Sequence, residues 1–200
     1  MNSHSHLRGF LLLCLELGLA LLLAACMTLP QQTVTKYRFE TPPCPAPTCL
    51  PARIVVDEVS GRSLYQRPAM IVSPSPAAVA TYTSCAWAES PVVMLQEVLT
   101  SYLAQRYADV SLVDVRAKET FDTLLRVYVD ALDQENRDAS WFAVMRLRYE
   151  LVSLQDGHTK RCRLFERRRV VAGHTVVDYI NAQNQSLQEF LAELSGALPH

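Results

Sequence analysis

The sequence predicts an α+β fold: a mostly antiparallel sheet with two long amphipathic helices packed on one face. Three observations carry this expectation. Asp122–Asp130 and Trp141–Leu151 alternate apolar and polar side chains with the period of a half-buried strand. Val92, Leu95, Val98, Leu99, Tyr102 and Leu103, and again Ile180, Leu187, Leu191, Leu194 and Leu198, recur at the spacing of one helical face. Several strands precede the first helix and three or four lie between the two, an order that suits helices set against an antiparallel sheet better than a βαβ alternation.

Taken from the start, Met1–Gly9 carries Arg8, and the apolar run Phe10–Leu23 has the length of a signal peptide rather than of a membrane span. The run ends in Leu23-Ala24-Ala25-Cys26, which matches the bacterial lipobox at all four positions. Cleavage between Ala25 and Cys26 makes the cysteine the first residue of the mature chain, where its thiolate takes a diacylglycerol thioether and its new amine a further acyl chain. Residues 1–25 are thus expected as a signal peptide, residues 26–52 as a lipidated N-terminus with a Pro-rich linker or edge segment, and residues 53–200 as one α+β domain. The length left after the signal suits a single core.

Lys36-Tyr37-Arg38-Phe39 reads as an edge strand, and the five prolines between Thr41 and Pro51 read as an extended connection. Arg53–Val59 begins the core, with Ile54, Val55 and Val56 apolar on both faces. Ser63–Pro68 is a turn. Ala69–Val72 is a strand that should break at Pro74 and Pro76, which together with the strand Val79–Ala86 makes a hairpin expected at the sheet margin, because proline cannot donate to a ladder. Ser90-Pro91 supplies an N-cap and a first-turn proline for a helix running to about Tyr107. A short strand, Val110–Arg116, follows. Asp133–Ala139 is read as the polar connection of the central hairpin. Gln155-Asp156-Gly157-His158 turns the chain into a third strand, Lys160–Ala172, whose adjacent Leu164 and Phe165 suggest a bulge or an edge. Thr175-Val176-Val177-Asp178 resembles a capping box at the start of the last helix.

The net charge of −1 argues against nonspecific nucleic-acid binding. Its distribution is uneven, with ten acidic and five basic residues from Ala86 to Ser140, against eight basic and three acidic from Arg146 to Arg169. One end of the sheet should be basic. Of the six cysteines, Cys14 leaves with the signal and Cys26 is lipidated. Cys44, Cys49, Cys85 and Cys162 remain, an even number in an oxidising compartment, open to three pairings, of which Cys44 with Cys49 and Cys85 with Cys162 is the simplest. Cys-x4-Cys without a companion pair is a poor zinc site, and no metal or other cofactor is expected.

Catalytic motifs are missing. The mature chain has three histidines, His158, His174 and His200, and no GxSxG, HExxH, P-loop or dinucleotide fingerprint. An enzyme is not expected. Two features stand out instead. Trp87 and Glu89 lead into the first helix, a core aromatic followed by an acid near the positive end of the helix dipole, with direct partner contact as the other reading. Arg146, Arg148, Arg163, Arg167, Arg168 and Arg169 form an arginine set on neighbouring strands, either a solvated face or a surface for an acidic partner or phosphate headgroups.

The lipobox at Cys26, the Tyr37-Arg38-Phe39 entry, the Ile54-Val55-Val56 strand, Arg67-Pro68 with Met70-Ile71-Val72, and Trp87-Ala88-Glu89 before an amphipathic helix together resemble the ABC-type transport auxiliary lipoproteins, the PqiC-like components of MCE-type lipid transport systems. Ser73-Pro74-Ser75-Pro76 and the Cys44/Cys49 pair depart from that pattern. The resemblance implies a non-enzymatic protein anchored in the outer membrane and facing the periplasm, working with an MCE-domain protein, a permease and an ATPase encoded elsewhere. Self-association is compatible with it. A periplasmic lipid-binding carrier and a lipopolysaccharide-assembly lipoprotein are the alternative readings.

Overall fold

The computed structural model describes residues 33–44, 50–75, 77–112 and 121–198, all but residue 33 within the unit Val34–His200. The lipobox with Ala25 and Cys26, and Cys49, lie outside the described residues. In chain order the elements are β1 (Thr35–Tyr37), β2 (Leu50–Val56), β3 (Ser60–Gly61), a 3-10 turn (Ser63–Gln66), β4 (Ala69–Ser75), β5 (Ala78–Trp87), α1 (Pro91–Ala104), β6 (Tyr107–Leu112), β7 (Thr123–Arg137), β8 (Ser140–Ser153), β9 (Thr159–Val170) and α2 (Val176–Ala197).

β7 is the axis of the nine-stranded sheet. One of its edges pairs with β8 along its length, and the other is shared in succession by β2, β3 and β4. Those three short strands run parallel to β7, as β1 does to β5 and β6 to β2, so the described sheet is mixed: its long β7–β8 and β8–β9 ladders are antiparallel as expected, and five short pairings are parallel. Alternation reports which face a side chain takes and is silent on the direction of the neighbouring strand. Half of the described residues are strand and 26% helix, in a sheet curled into a half-barrel. The two helices therefore do not lie side by side on a flat face. α1 packs near β2, β6 and the 3-10 turn, whereas α2 packs on β8 and β9. Both close on one core, and they touch where Ser195 Oγ donates to Tyr102 Oη at 3.3 Å.

The helix starts differ in chemistry. Thr175 Oγ1 accepts from the Asp178 N–H at 3.2 Å, as an N-cap should, while Ser90 makes no such bond and Pro91 alone marks the start of α1. Met94, Leu95, Val98, Leu99, Tyr102 and Leu103 are buried along α1, and Tyr179, Leu187, Phe190, Leu191 and Leu194 along α2. Gly61 sits at a close approach: a Cβ there would meet Val129 Cβ at 3.0 Å and Val92 Cγ1 at 3.2 Å, so β7 or α1 would have to give by a few tenths of an ångström.

The expected break at Pro74 is also corrected, whereas the hairpin does lie toward the sheet margin, with the three residues of β1 beyond it, paired to Cys85–Trp87. β4 runs through Pro74 and lies inside the sheet, between β5 and β7. The proline is tolerated because pairing with β7 ends at Ser73–Glu135 and the register with β5 shifts between Val72 and Ser75. Asp133–Ala139 is not a loop. β7 continues to Arg137, and the hairpin turns on Asp138 and Ala139 alone, at φ 49° and 62°. Two positive φ angles in a two-residue turn match the right-handed twist of the flanking strands. Alanine is a poor residue for that region, so Ala139→Gly is expected to raise stability by about 0.5 kcal/mol, the relief of the left-handed conformation exceeding glycine's extra unfolded entropy. A urea midpoint no higher than that of the parent chain would contradict this.

Candidate functional site

Trp87 closes β5 and is wholly buried. Its ring lies 4.9 Å from that of Phe39 and 6.3 Å from that of Tyr179, centroid to centroid, so one aromatic stack joins the segment after β1, the entry to α1 and the first turn of α2. Glu89 is exposed, two residues before α1, near the positive end of that helix.

The six arginines do not form one surface. Register places Arg163, Arg167 and Arg169 opposite Tyr149, Met145 and Ala143, on the inner face, whereas Arg146, Arg148 and Arg168 share the outer face. Consecutive residues of a strand must point to opposite sides, which divides the run Arg167-Arg168-Arg169. Most of the charge is also paired. Arg148 grips Asp130 with two bonds of 2.7 and 3.1 Å and stacks on Tyr128, Arg146 meets Glu166, and Arg168 reaches Glu135 at 3.0 Å while covering the Phe142 ring. Arg167 and Arg169 both hold Glu189 of α2, and they keep its carboxyl below the usual carboxylate range. Arg163 alone of the six has no ion pair among the described residues. At partly exposed sites each such pair adds about 1 kcal/mol or less, so the network fixes geometry more than stability.

Cys85 is buried on β5 and Cys162 exposed on β9, each a free thiol, with β4, β7 and β8 between their strands. A bridge between them is excluded, since bonded cysteines need Cα atoms within about 7 Å and each strand spacing alone is about 4.8 Å. Cys162 instead lines an outer-face groove of about 500 Å³ with Asp57, Arg126, Tyr128, Arg148 and Glu150, a floor of mixed charge. Among the described residues no group of three or more His, Cys, Asp or Glu side chains is placed to hold a metal.

Sequence reasoning missed two features. A groove of about 470 Å³ runs between α1 and the residues after β2, where Val93 and Leu112 stay exposed beside Asp57, Glu58 and Glu97. No local signal pointed to it, because its walls come from three separate elements. The second is a buried polar cluster. Tyr65 Oη donates to Asp133 Oδ1 at 3.0 Å, Tyr82 Oη donates to Gln134 Oε1 at 2.7 Å, and Gln183 Nε2 of α2 donates to the Val144 carbonyl and to Tyr179 Oη, each at 3.1 Å. Burial pushes the Asp133 carboxyl above its ordinary value and outweighs the Tyr65 hydrogen bond, which acts the other way. Burial likewise raises the hydroxyls of Tyr65 and Tyr179.

The sign of the Asp133 effect follows. A carboxyl raised in the folded state costs nothing at pH values below the ordinary carboxylate range, where both states are protonated, and its full cost is present once pH exceeds the raised value. Asp133→Asn keeps an acceptor for Tyr65 and removes the charge. It is expected to be more stable than the parent near neutrality, with the difference vanishing in acid. Urea midpoints measured across that range check this, and a gain that is independent of pH would contradict it.

The fold places the chain in a structural class before any family is considered: a curled mixed sheet with two helices closing its inner side. The same fold is seen in protein XCC0632 from Xanthomonas campestris, at a TM-score of 0.69 and 20% identity over 82% of this chain and 93% of that one. A second solved structure, of an uncharacterized protein, gives 0.66 and 14% over 84% and 99%. The family is defined by sequence: residues 37–195 match the model of the ABC-type transport auxiliary lipoprotein component, and the chain belongs to that family. No curated protein sequence matches it. No described helix is long and apolar enough to cross a membrane.

Proposed function

We propose that this chain is the outer-membrane-anchored, non-enzymatic auxiliary lipoprotein of an MCE/ABC-type intermembrane lipid transport system, and that it docks the periplasmic MCE-domain component. The family match over residues 37–195 carries this reading, joined to a lipobox whose cysteine precedes the matched region by eleven residues. In this account the signal peptide is cut between Ala25 and Cys26, acyl chains on Cys26 hold the protein at the membrane, and residues 26–52 lead into the domain at 53–200. Two or three acyl chains hold a protein stably in a bilayer, which one chain does not. ATP hydrolysis belongs to the partner ATPase, consistent with a sequence that carries no phosphate-binding loop.

Within the domain Trp87 acts by packing, and it fixes the start of α1, beside which Glu89 is presented. The arginine strands supply charged patches on the two faces of the sheet for the partner or for headgroups, with Arg163 the one of the six that has no ion pair among the described residues. Cys44 and Cys49 remain the candidate disulfide. Self-association of the lipoprotein is compatible with the arrangement. Native mass spectrometry of the purified chain tests the docking reading against that of a lipid carrier: docking predicts a complex with an MCE-domain protein, whereas stoichiometric phospholipid on the chain and no such complex would favour the carrier.

A further inference from the structure

At the far end of the inner face, a pocket of about 220 Å³ is lined by Thr123, Leu151, Lys160, Arg161, Ala197 and Leu198. Two neighbouring cations share it because of a β-bulge. Arg161 pairs with Leu151 and Thr159 with Val152, which leaves Lys160 as the extra residue of β9. A bulge re-aims the side chain it carries, and here Lys160 joins Arg161 where regular alternation would set them on opposite faces. Neither cation has an ion pair among the described residues. The carboxylate of α2 on this side, Glu193, accepts from Tyr149 Oη at 3.3 Å.

The pocket also holds an unsatisfied polar group. Thr123 is 1% exposed, and its Oγ1 has no hydrogen-bond partner among the described residues. A buried hydroxyl left unpaired costs stability, and an acceptor in the pocket would offset that cost. Leu151, Ala197 and Leu198 form the apolar remainder of the wall. Two cations and a hydroxyl around a cavity of this size match an oxyanion with several acceptor oxygens, and the apolar wall suits a short organic substituent on it.

We propose that this pocket binds a phosphoryl group, with Lys160 and Arg161 carrying the charge recognition and the Thr123 hydroxyl donating one hydrogen bond. The group comes either from a phospholipid headgroup or from a soluble phosphate compound. The site is separate from the proposed docking of an MCE protein and does not rest on it.

The test is calorimetric titration of the detergent-solubilised full lipoprotein with inorganic phosphate and with short-chain phosphatidylglycerol, using a short-chain diacylglycerol, which has no phosphoryl group, as the control. Saturable phosphate binding is expected, weakened about tenfold in Lys160→Ala and in Arg161→Ala and about fivefold in Thr123→Val. Arg137→Ala, which alters an exposed cation at the opposite end of β7 from Thr123, should bind as the parent does. Thr123→Val should also raise the anion-free thermal midpoint, because it removes the orphan hydroxyl, so loss of binding in that variant cannot be loss of fold. Phosphatidylglycerol competing with phosphate, when the diacylglycerol does not, identifies a headgroup, and phosphate binding without such competition identifies a soluble compound. The proposal is overturned if no ligand binds saturably. It is equally overturned if Arg137→Ala loses as much as Arg161→Ala, or if the two cation variants lower the thermal midpoint and leave binding intact, in which case the cations serve the carbonyl end of α2 alone.

Discussion

Trp87→Ala is expected to destabilise the domain by about 3–5 kcal/mol, a large share of the roughly 5–15 kcal/mol that holds a domain of this size together. The side chain is fully buried, and its neighbours Phe39 and Tyr179 come from segments far apart in sequence, so no local rearrangement can fill the space. The loss has a particular location. Phe39 follows β1, and β1 joins the sheet through three residues paired with β5, Tyr37 lying opposite Trp87 itself. Removing the indole should therefore free the segment from Val34 to Cys44 before the rest unfolds. Trp87→Phe, which keeps an aromatic ring, should recover most of the loss. Denaturation followed by circular dichroism gives the magnitude, and hydrogen exchange gives the order of opening. A penalty below about 1 kcal/mol, the scale of an exposed site, would mean that the stack does not carry the connection between the N-terminal segment and α2.

The second large effect is on location. Cys26→Ala is expected to leave the domain folded and to move it from the membrane to the soluble fraction. Each buried methylene of an acyl chain contributes about 0.8 kcal/mol to membrane binding, and without the thioether none of that is available. No described helix is long and apolar enough to span a bilayer. Fractionation with a folding readout on the soluble protein decides the matter. A Cys26→Ala chain that stays with membranes would remove the tether from the account, and one that fails to fold would place the domain boundary elsewhere.

The parts of the fold legible in the sequence are those in which a local pattern reports burial directly. The alternation of Trp141–Leu151 predicts β8 with its inward row, the Ser90-Pro91 start and the stripe from Leu95 to Leu103 predict α1, and Thr175 with Asp178 predicts the cap of α2. What local pattern cannot carry is the identity and direction of a neighbour, and here β7 recruits three parallel partners along one edge. Polarity misled at Asp133–Ala139 for a related reason. The bulge between Val129 and Ala131 resets the phase of β7, after which Gln134 faces inward and is satisfied by Tyr82, so a polar stretch behaves as a strand. The arginine set shows the same limit at the candidate surface. Its residues were all legible, but their division between two faces and their pairing with Asp130, Glu135, Glu166 and Glu189 depend on register and on α2. Lys160, Arg161 and Thr123 could not be grouped from sequence at all, because their meeting requires both a bulge and the end of a distant helix.

The central claim is that a lipid-tethered domain of this family docks an MCE-domain protein. The most direct measurement is in-cell crosslinking of the lipidated chain followed by affinity purification and identification of the crosslinked peptides. The account predicts crosslinks from the domain to an MCE-domain protein, lost or strongly reduced in Cys26→Ala because the tether sets the local concentration. Crosslinks to an outer-membrane barrel protein in place of an MCE protein would contradict it and favour an envelope-assembly role.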